Sequence, residues 1–153
     1  RNALENKKAL NDWNIFPRDT YSAFYELYSE KLLSLLSGAV CRNLYSDFGL
    51  HGGGWHIHGS GGNLNPHLDY SIHPKLGLER RVNIIMYMTP DWDENWGGYL
   101  MYKDNNQIGA CKPEKNLAIL QESGIEHCVT TINFGAEHRI SLQFFLNKEQ
   151  KLF

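Results

Sequence analysis

The chain contains few cysteines, and they follow no paired spacing. Cys41, Cys111 and Cys128 are odd in number and form no CxxC motif within the 153 residues. A disulfide framework needs paired thiols and an oxidising compartment. We therefore expect a protein of a reducing compartment and assign it to the cytoplasm.

The sequence also lacks an excess of charge of one sign and a long apolar run. Lysine and arginine number 15 and aspartate and glutamate 17, which gives a formal net charge of −2. Nucleic-acid binding relies on clustered basic side chains, so we expect no nucleic-acid partner. No apolar run approaches the roughly 20 residues that cross a bilayer, so we expect no membrane partner either.

The length and a hydrophobic content of 42% fit one domain with its own core. We predict helical support over residues 1–40. From Ala39 onward turn residues recur at short intervals, which is typical of an all-β body. The predicted organisation is a single domain over 1–153 with a β-rich core over 41–147.

Two helices are predicted to follow a charged, helical or irregular segment over 1–10. In the first helix Pro17 suits the opening turn, and aromatic residues recur at the spacing of a buried stripe. These are Tyr21, Phe24, Tyr25 and Tyr28. In the second helix Ser29 is a candidate N-cap and Gly38 a stop signal.

The stretch from Asn65 to Leu100 opens with two candidate metal ligands, His67 and Asp69. Side chains alternate faces along a strand, so residues two apart point the same way and can hold one metal ion. Iron chemistry with oxygen uses a third protein ligand on the same octahedral face and leaves the other positions open. We assign this ligand to His127, which begins a second β-rich run.

His138 is an alternative distal ligand, but its neighbour Arg139 would then point to the opposite strand face. Arg139 and Ser141 are two residues apart, so they share a face of the strand that follows His127 in the chain. A guanidinium fork and a hydroxyl suit a carboxylate. This arrangement favours His127.

A second histidine pair, His56 and His58, also has the spacing of metal ligands. A cupin site would need a glutamate a few residues later, and none occurs before Asp69. The pair is a weaker candidate for primary ligands.

The run from Arg80 to Met88 is predicted to be a strand with two different faces. Its even positions are apolar after Arg80, whereas its odd positions include Arg81, Asn83 and Tyr87. We expect one face to pack and the other to line a cavity.

These motifs together resemble the Fe(II)- and 2-oxoglutarate-dependent oxygenases, and within them the prolyl hydroxylase-like branch. The resemblance covers roughly residues 52–146 and rests on the HLD at 67–69, the block at 79–98, His127 and the RIS at 139–141. It implies a double-stranded β-helix, a jelly-roll or cupin-like barrel with the metal near one mouth. It also implies Fe(II) as cofactor, with 2-oxoglutarate and O2 as co-substrates.

The resemblance further implies roles for single residues. His67, Asp69 and His127 would be the catalytic iron ligands. The co-substrate would contact Arg139, Ser141, Tyr87, Asn83, Ile85, His58 and Val129. His58 stands near the place of a family tyrosine, so a structural role is an equal alternative, and Tyr87 could simply be a buried tyrosine.

Four residues are candidates for substrate binding: Arg80, Arg81, Trp92 and Trp96. A solvated charge pair explains the two arginines equally well, and packing in a hairpin explains the tryptophans nearly as well.

Three functions remain open at this point. The first is hydroxylation of a prolyl residue in a protein or peptide, and the second is hydroxylation of a free amino acid or other small metabolite. The third is a non-catalytic β-helix that binds metal or a ligand.

Relatives usually carry a further N-terminal strand and helix, so we expect this chain to be a fragment or a minimal version that lacks an edge strand.

Overall fold

The computed structural model describes residues 4–40 and 43–148. Within these ranges the chain forms two α-helices, two short 3-10 helices and nine strands. The strands are β1 (Leu4–Leu10), β2 (Tyr45–Ser46), β3 (Gly54–His67), β4 (Glu79–Tyr87), β5 (Leu100–Asp104), β6 (Gln107–Cys111), β7 (Ala118–Glu122), β8 (Glu126–Val129) and β9 (Arg139–Lys148). The helices are α1 (Arg18–Leu27) and α2 (Glu30–Val40), and the 3-10 helices are Trp13–Ile15 and Glu94–Trp96.

The prediction of a helical or irregular segment over residues 1–10 is wrong where that segment is described. Residues 4–10 form β1, which runs antiparallel to β3 with Lys7 opposite His58. At Gly54 the two backbones come so close that a Cβ atom would collide with the carbonyl of Leu10, and φ is 94° there. Only glycine tolerates that combination, so the edge pairing depends on Gly54.

Both predicted helices are present, with different boundaries. α1 begins after Pro17, which occupies the N-cap instead of the first turn. α2 begins after Ser29, whose Oγ accepts the backbone N–H of Leu32 at 3.3 Å, as expected for a cap. It continues through Gly38 to Val40, so Gly38 is not a stop signal. A helical glycine costs only about 1 kcal/mol, which packing outweighs. No helix in the described ranges is both long and apolar enough to cross a membrane.

One long strand, β3, gives the sheet its curl. Across the sheet the strands are ordered β6-β5-β8-β3-β9-β4-β7, while β1 pairs with β3 and β2 pairs with β9. β3 pairs with β9 over Gly54–His58 and with β8 at Leu64 and His67. Because one strand of 14 residues belongs to both regions, the antiparallel sheet bends around an interior. The fold is mainly β with N-terminal helices, as predicted.

The helices cover the outer face of the sheet. Phe24 and Tyr28 pack edge-on against Phe144 of β9, at ring-centroid distances of 6.2 and 5.6 Å. Tyr25 is 81% exposed and Tyr21 43% exposed, so the buried aromatic stripe is narrower than predicted.

β4 has the two faces that its sequence predicts. Val82 and Ile84 belong to the core under the helices, while Ile85 and Tyr87 belong to a second cluster inside the curl of the sheet. The odd positions of β4 therefore face the interior that holds the candidate site.

Candidate metal centre

Three predicted metal ligands come together where β3 meets β8. His67 ends β3 and lies opposite His127 of β8, and Asp69 follows two residues later. Asp69 Oδ1 is 3.7 Å from His67 Nε2 and 3.9 Å from His127 Nε2. All three ligand atoms lie within 4.8 Å of one another, and no other such group of metal-binding side chains occurs in the part of the chain described.

The same local contact orients both imidazole rings. Nδ1 of His67 lies 2.8 Å from the carbonyl of Asn65, and Nδ1 of His127 lies 2.9 Å from that of Ile125. A carbonyl only accepts, so Nδ1 carries the proton in each ring and Nε2 keeps a lone pair for a metal. Burial lowers the pKa of His127, which favours its neutral form.

The donor set fits Fe(II). Two imidazoles and one carboxylate form the facial triad of non-haem iron oxygenases. Two ligands about 2.1 Å from a metal and at right angles lie about 3 Å apart. The two distances from Asp69 to the imidazoles, 3.7 and 3.9 Å, therefore need to shorten by less than about 1 Å. Asn83 Nδ2 donates to Asp69 Oδ2 at 3.5 Å, which leaves Oδ1 for an ion.

Basic side chains form a row across the inner face of the sheet. Lys7 of β1 lies opposite His58 of β3, and His58 lies opposite Arg139 of β9. In the next row Ser141 lies opposite Tyr87. The first row and the triad line one cavity of about 90 Å³.

Arg139 lines this cavity and is 1% exposed. Its Nε donates to the Gly98 carbonyl at 2.8 Å, and its Nη2 donates to the Tyr87 hydroxyl at 3.1 Å. The guanidinium also lies 4.8 Å from the centre of the Tyr87 ring. Its Nη1 has no hydrogen-bond partner within the described residues. Since an arginine stays charged in proteins, Nη1 is a buried donor available to an anion.

The other predicted co-substrate residues surround Arg139 or the triad. Asn83, Ile85, Val129 and His58 line the cavity directly. Tyr87 and Ser141 do not line it: Tyr87 supports Arg139, and Ser141 Oγ accepts from Gln143 Nε2 at 3.1 Å. A hydroxyl that accepts one hydrogen bond keeps its own proton to donate, so this contact is compatible with the predicted role of Ser141.

His56 and His58 lie in the cavity, outside the metal cluster. Burial lowers the pKa of both imidazoles to about 3, and Lys7 and Arg139 add to the shift. Both rings are therefore neutral at physiological pH. His58 has no partner for either ring nitrogen, and His56 has none for Nδ1, among the described residues.

Arg80, one of the candidates for substrate binding, is buried and does not line the metal cavity, so it is neither placed for a substrate nor part of a solvated charge pair. It is 3% exposed, and its Nη2 donates to Asp47 Oδ2 at 3.3 Å and to the His51 carbonyl. His73 Nε2 lies 3.1 Å from Asp47 Oδ1, while its Nδ1 accepts two backbone N–H groups. The guanidinium also stacks over Phe145 at 4.1 Å. Arg80 therefore belongs to a buried network that fixes the loop after Asp69.

The remaining substrate candidates lie apart from the triad. Arg81 is half-buried and pairs with Glu122 at 3.1 Å. Trp92 is 4% exposed, donates to the Gly97 carbonyl at 3.0 Å and packs edge-on against Trp96 at 5.2 Å. The structure does not bring either tryptophan to the metal cavity. They lie in the connection between β4 and β5, two strands that do not pair, so the contacts come from packing within this loop instead of a hairpin.

Trp96 instead lines a cavity of about 720 Å³ on the outer face of the sheet, together with His138. The side chain of His138 is exposed. It therefore points away from the triad, in agreement with the choice of His127.

Lys7 and Gln121 are among the residues at the site that were not predicted from the sequence. Lys7 enters the cavity from β1, and no local pattern marks it because the pairing of β1 with β3 is set by tertiary contacts. Gln121 of β7 has its amide 2.6 Å from His127 Nδ1. Because that Nδ1 is a donor, the amide must turn its oxygen toward the ring. No sequence pattern marks Gln121, because polar and apolar residues do not alternate along β7, Ala118–Glu122.

Comparison with known proteins identifies the class. Residues 53–147 match the model of the 2OG-Fe(II) oxygenase superfamily, and the chain belongs to this family. Membership indicates a 2-oxoglutarate-dependent dioxygenase and implies Fe(II), 2-oxoglutarate and O2. No curated protein matches the chain by sequence.

Solved structures of prolyl hydroxylases share the fold. A prolyl-4-hydroxylase of Pseudomonas putida superposes with a TM-score of 0.64 at 15% identity, over 94% of this chain and 72% of that one. A Trichoplax adhaerens prolyl hydroxylase, in complex with a hypoxia inducible factor peptide fragment, gives 0.62 at 17% identity, over 93% and 62%. The viral collagen prolyl hydroxylase of Paramecium Bursaria Chlorella virus-1 gives 0.63 at 11% identity, over 93% and 77%. The likeness confirms the predicted double-stranded β-helix.

Proposed function

We propose that the chain is an Fe(II)- and 2-oxoglutarate-dependent hydroxylase of a prolyl residue in a protein or peptide, with succinate and CO2 as co-products. The observation that carries the proposal is the triad of His67, Asp69 and His127 beside the open, buried Nη1 of Arg139. One set of donors suits the iron, and the other suits the far carboxylate of the co-substrate. The prolyl hydroxylases among the similar structures support the choice of substrate.

The chain's own residues would position the reactants. His67, Asp69 and His127 would hold the iron, which supplies the chemistry that hydroxylates an unactivated C–H bond when 2-oxoglutarate and O2 are also bound. Arg139 would pair with the co-substrate carboxylate and is itself held by Tyr87 and Gly98. The contacts with Tyr87 and Gly98 fix the guanidinium before the ligand arrives, so little side-chain freedom is lost on binding.

A larger space next to the metal cavity offers room for a substrate. It has a volume of about 540 Å³ and shares Leu100 with the metal cavity. Gln121 lines it and contacts the His127 ring from this side. Arg81 lies beside it through its ion pair with Glu122. We therefore place the substrate against β5 and β7, with Arg81 as the remaining basic candidate for its backbone carbonyls.

Removing one ligand tests the proposal. We expect His67→Ala and Asp69→Ala to abolish iron-dependent conversion of 2-oxoglutarate to succinate, because two ligands no longer define the facial geometry. Thermal unfolding should show an intact fold, since the apolar clusters lie elsewhere. His138→Ala is the matched control and should convert 2-oxoglutarate like the parent. Parental turnover in either ligand variant would contradict the assignment.

The substrate class needs a second measurement. Succinate formation should rise above the uncoupled rate with prolyl peptides, and mass spectrometry should show one added oxygen on the proline. Stimulation by free amino acids alone would replace the peptide substrate with a small metabolite.

A further inference from the structure

Lys7 is a charge in the metal cavity that the proposed function does not use. Its side chain is half-buried and lines the cavity with the triad, His58 and Arg139. Within residues 4–40 and 43–148 Lys7 forms no ion pair. A cation in such a place is costly unless a ligand of opposite charge completes it.

Two inter-strand spacings separate Lys7 on β1 from Arg139 on β9. His58 stands between them on β3, and neighbouring strands lie about 4.8 Å apart, so the backbones of Lys7 and Arg139 are about 10 Å apart. Arg139 also leans away from Lys7, because Tyr87, which binds its Nη2, lies on β4 at the other side of β9. The two cations therefore define two separate anion positions.

His58 adds unpartnered donor capacity to the position nearer Lys7. It is 1% exposed, and neither of its ring nitrogens has a partner among the described residues. Burial and the neighbouring Arg139 and Lys7 lower the pKa of His58, so its ring is neutral and offers one N–H. The imidazole N–H and the neighbouring ammonium group together provide a neutral and a charged donor for one carboxylate.

The charges of the occupied site point the same way. An Fe(II) ion, the Asp69 carboxylate, the Arg139 guanidinium and doubly charged 2-oxoglutarate balance one another. Lys7 is the charged lining residue that this balance leaves over, within the described part of the chain. The remaining reactant, the substrate, is the natural source of its counter-charge.

We propose that Lys7 and His58 form a second carboxylate site, distinct from the Arg139 site, that binds a carboxylate of the substrate next to the carbon to be hydroxylated. The proposal rests on the proposed function and narrows its substrate class. The carboxylate comes either from a free α-carboxyl group of a prolyl compound or from an acidic side chain beside the proline in a peptide.

Lysine-selective NMR in the Zn(II)- and 2-oxoglutarate-loaded protein tests the site directly, since Zn(II) is diamagnetic and does not support turnover. Acetate is the probe, and the spectrum of Lys7→Arg identifies the Lys7 signal. We expect a saturable acetate-dependent shift of Lys7 and none of Lys8. Lys8 is the matched control because it follows Lys7 on β1 and lines the outer cavity.

The other outcomes overturn the inference in distinguishable ways. If 2-oxoglutarate alone saturates the Lys7 shift, or if acetate causes none, the second site is absent although the proposed function stands. If calorimetry shows that 2-oxoglutarate does not bind the Zn(II)-loaded protein, the proposed function fails and this inference fails with it.

Matched substrates then identify the source of the carboxylate. N-acetyl-L-proline is compared with its amide, and a capped Glu-Pro dipeptide with a capped Gln-Pro dipeptide, as stimulators of succinate formation. In one pair the acid should half-saturate at a concentration about tenfold lower, the effect of one charge-assisted contact. Lys7→Met should remove the difference, Lys7→Arg should keep part of it, and Lys8→Met should keep all of it. No difference in either pair would overturn the proposal.

Discussion

Arg139 performs two tasks, binding a ligand carboxylate and holding its structural partners, and replacement by alanine should affect both 2-oxoglutarate binding and stability. Nη1 is the open donor for a carboxylate, whereas Nε and Nη2 hold Gly98 and Tyr87. A hydrogen bond between charged groups contributes about 1.5–3 kcal/mol. At about 1.4 kcal/mol per factor of ten, Arg139→Ala should weaken 2-oxoglutarate binding roughly ten- to a hundredfold.

The same substitution should also lower stability. The buried Gly98 carbonyl loses its donor, which costs about 1–3 kcal/mol of unfolding free energy. Arg139→Lys should rescue binding only in part, because a point charge does not reproduce the fork that contacts Gly98 and a ligand together. Tyr87→Phe is the finer probe, since it removes one support of Nη2 and leaves the charge in place. We expect it to weaken binding by less than about tenfold.

The assay is calorimetric titration of 2-oxoglutarate into the Zn(II)-loaded variants, with urea unfolding measured in parallel. Arg18→Ala, in the first turn of α1, is the control for loss of a surface charge and should behave like the parent. Iron affinity should hardly change in any of these variants, because Arg139 does not contact the triad ligands. Parental 2-oxoglutarate affinity in Arg139→Ala would show that the carboxylate binds elsewhere and refute the reasoning.

Three further predictions follow from buried polar groups. Asp47→Ala leaves the Arg80 cation buried without its carboxylate, so urea unfolding should show a loss of about 3–5 kcal/mol, whereas a loss below about 1 kcal/mol would mean that the pair is not needed. Gln121→Leu removes the amide behind the His127 ring and should weaken Fe(II) binding about 10- to 100-fold in anaerobic chelator competition, with Gln121→Glu keeping the affinity. Burial holds the pKa of His56 and His58 near 3 in the folded state, below the unfolded value of 6.5. The unfolded chain therefore binds more protons between these values, and stability should fall as pH drops from about 6.5 toward 3. Replacing both histidines by glutamine should flatten this part of the pH–stability curve.

Most of the metal site could be predicted from the sequence, because its ligands are related by short spacings and by the alternation of side chains along strands. His67 and Asp69 share a strand face by spacing alone, and the contacts of both histidines with carbonyls two residues earlier are also local. Arg139 followed from the same alternation.

The rest depended on contacts that spacing does not encode. Lys7 reaches the cavity only because β1 pairs with β3, and that pairing depends on the close approach at Gly54. An arginine such as Arg80 is expected to be exposed. The ion pair with Asp47, 33 residues earlier in the chain, instead keeps it buried. Trp92 is held inside its own loop by a bond to the Gly97 carbonyl, five residues later. For Lys7 and Arg80 a partner far away in the sequence decided the placement.

The pairing of His67 with His127 joins the metal to the fold itself. The two ligands lie opposite each other at the junction of β3 and β8, so an ion between them would act as a cross-link at the point where the sheet turns. A ligand that binds only the folded state adds free energy by mass action, about 2.7 kcal/mol at a hundred times its dissociation constant. The lifetime of the folded chain would then depend on iron supply. Under iron limitation the metal-free enzyme would keep its fold but lose this added stability and open more often to proteases, so protein abundance and catalytic capacity would decline together.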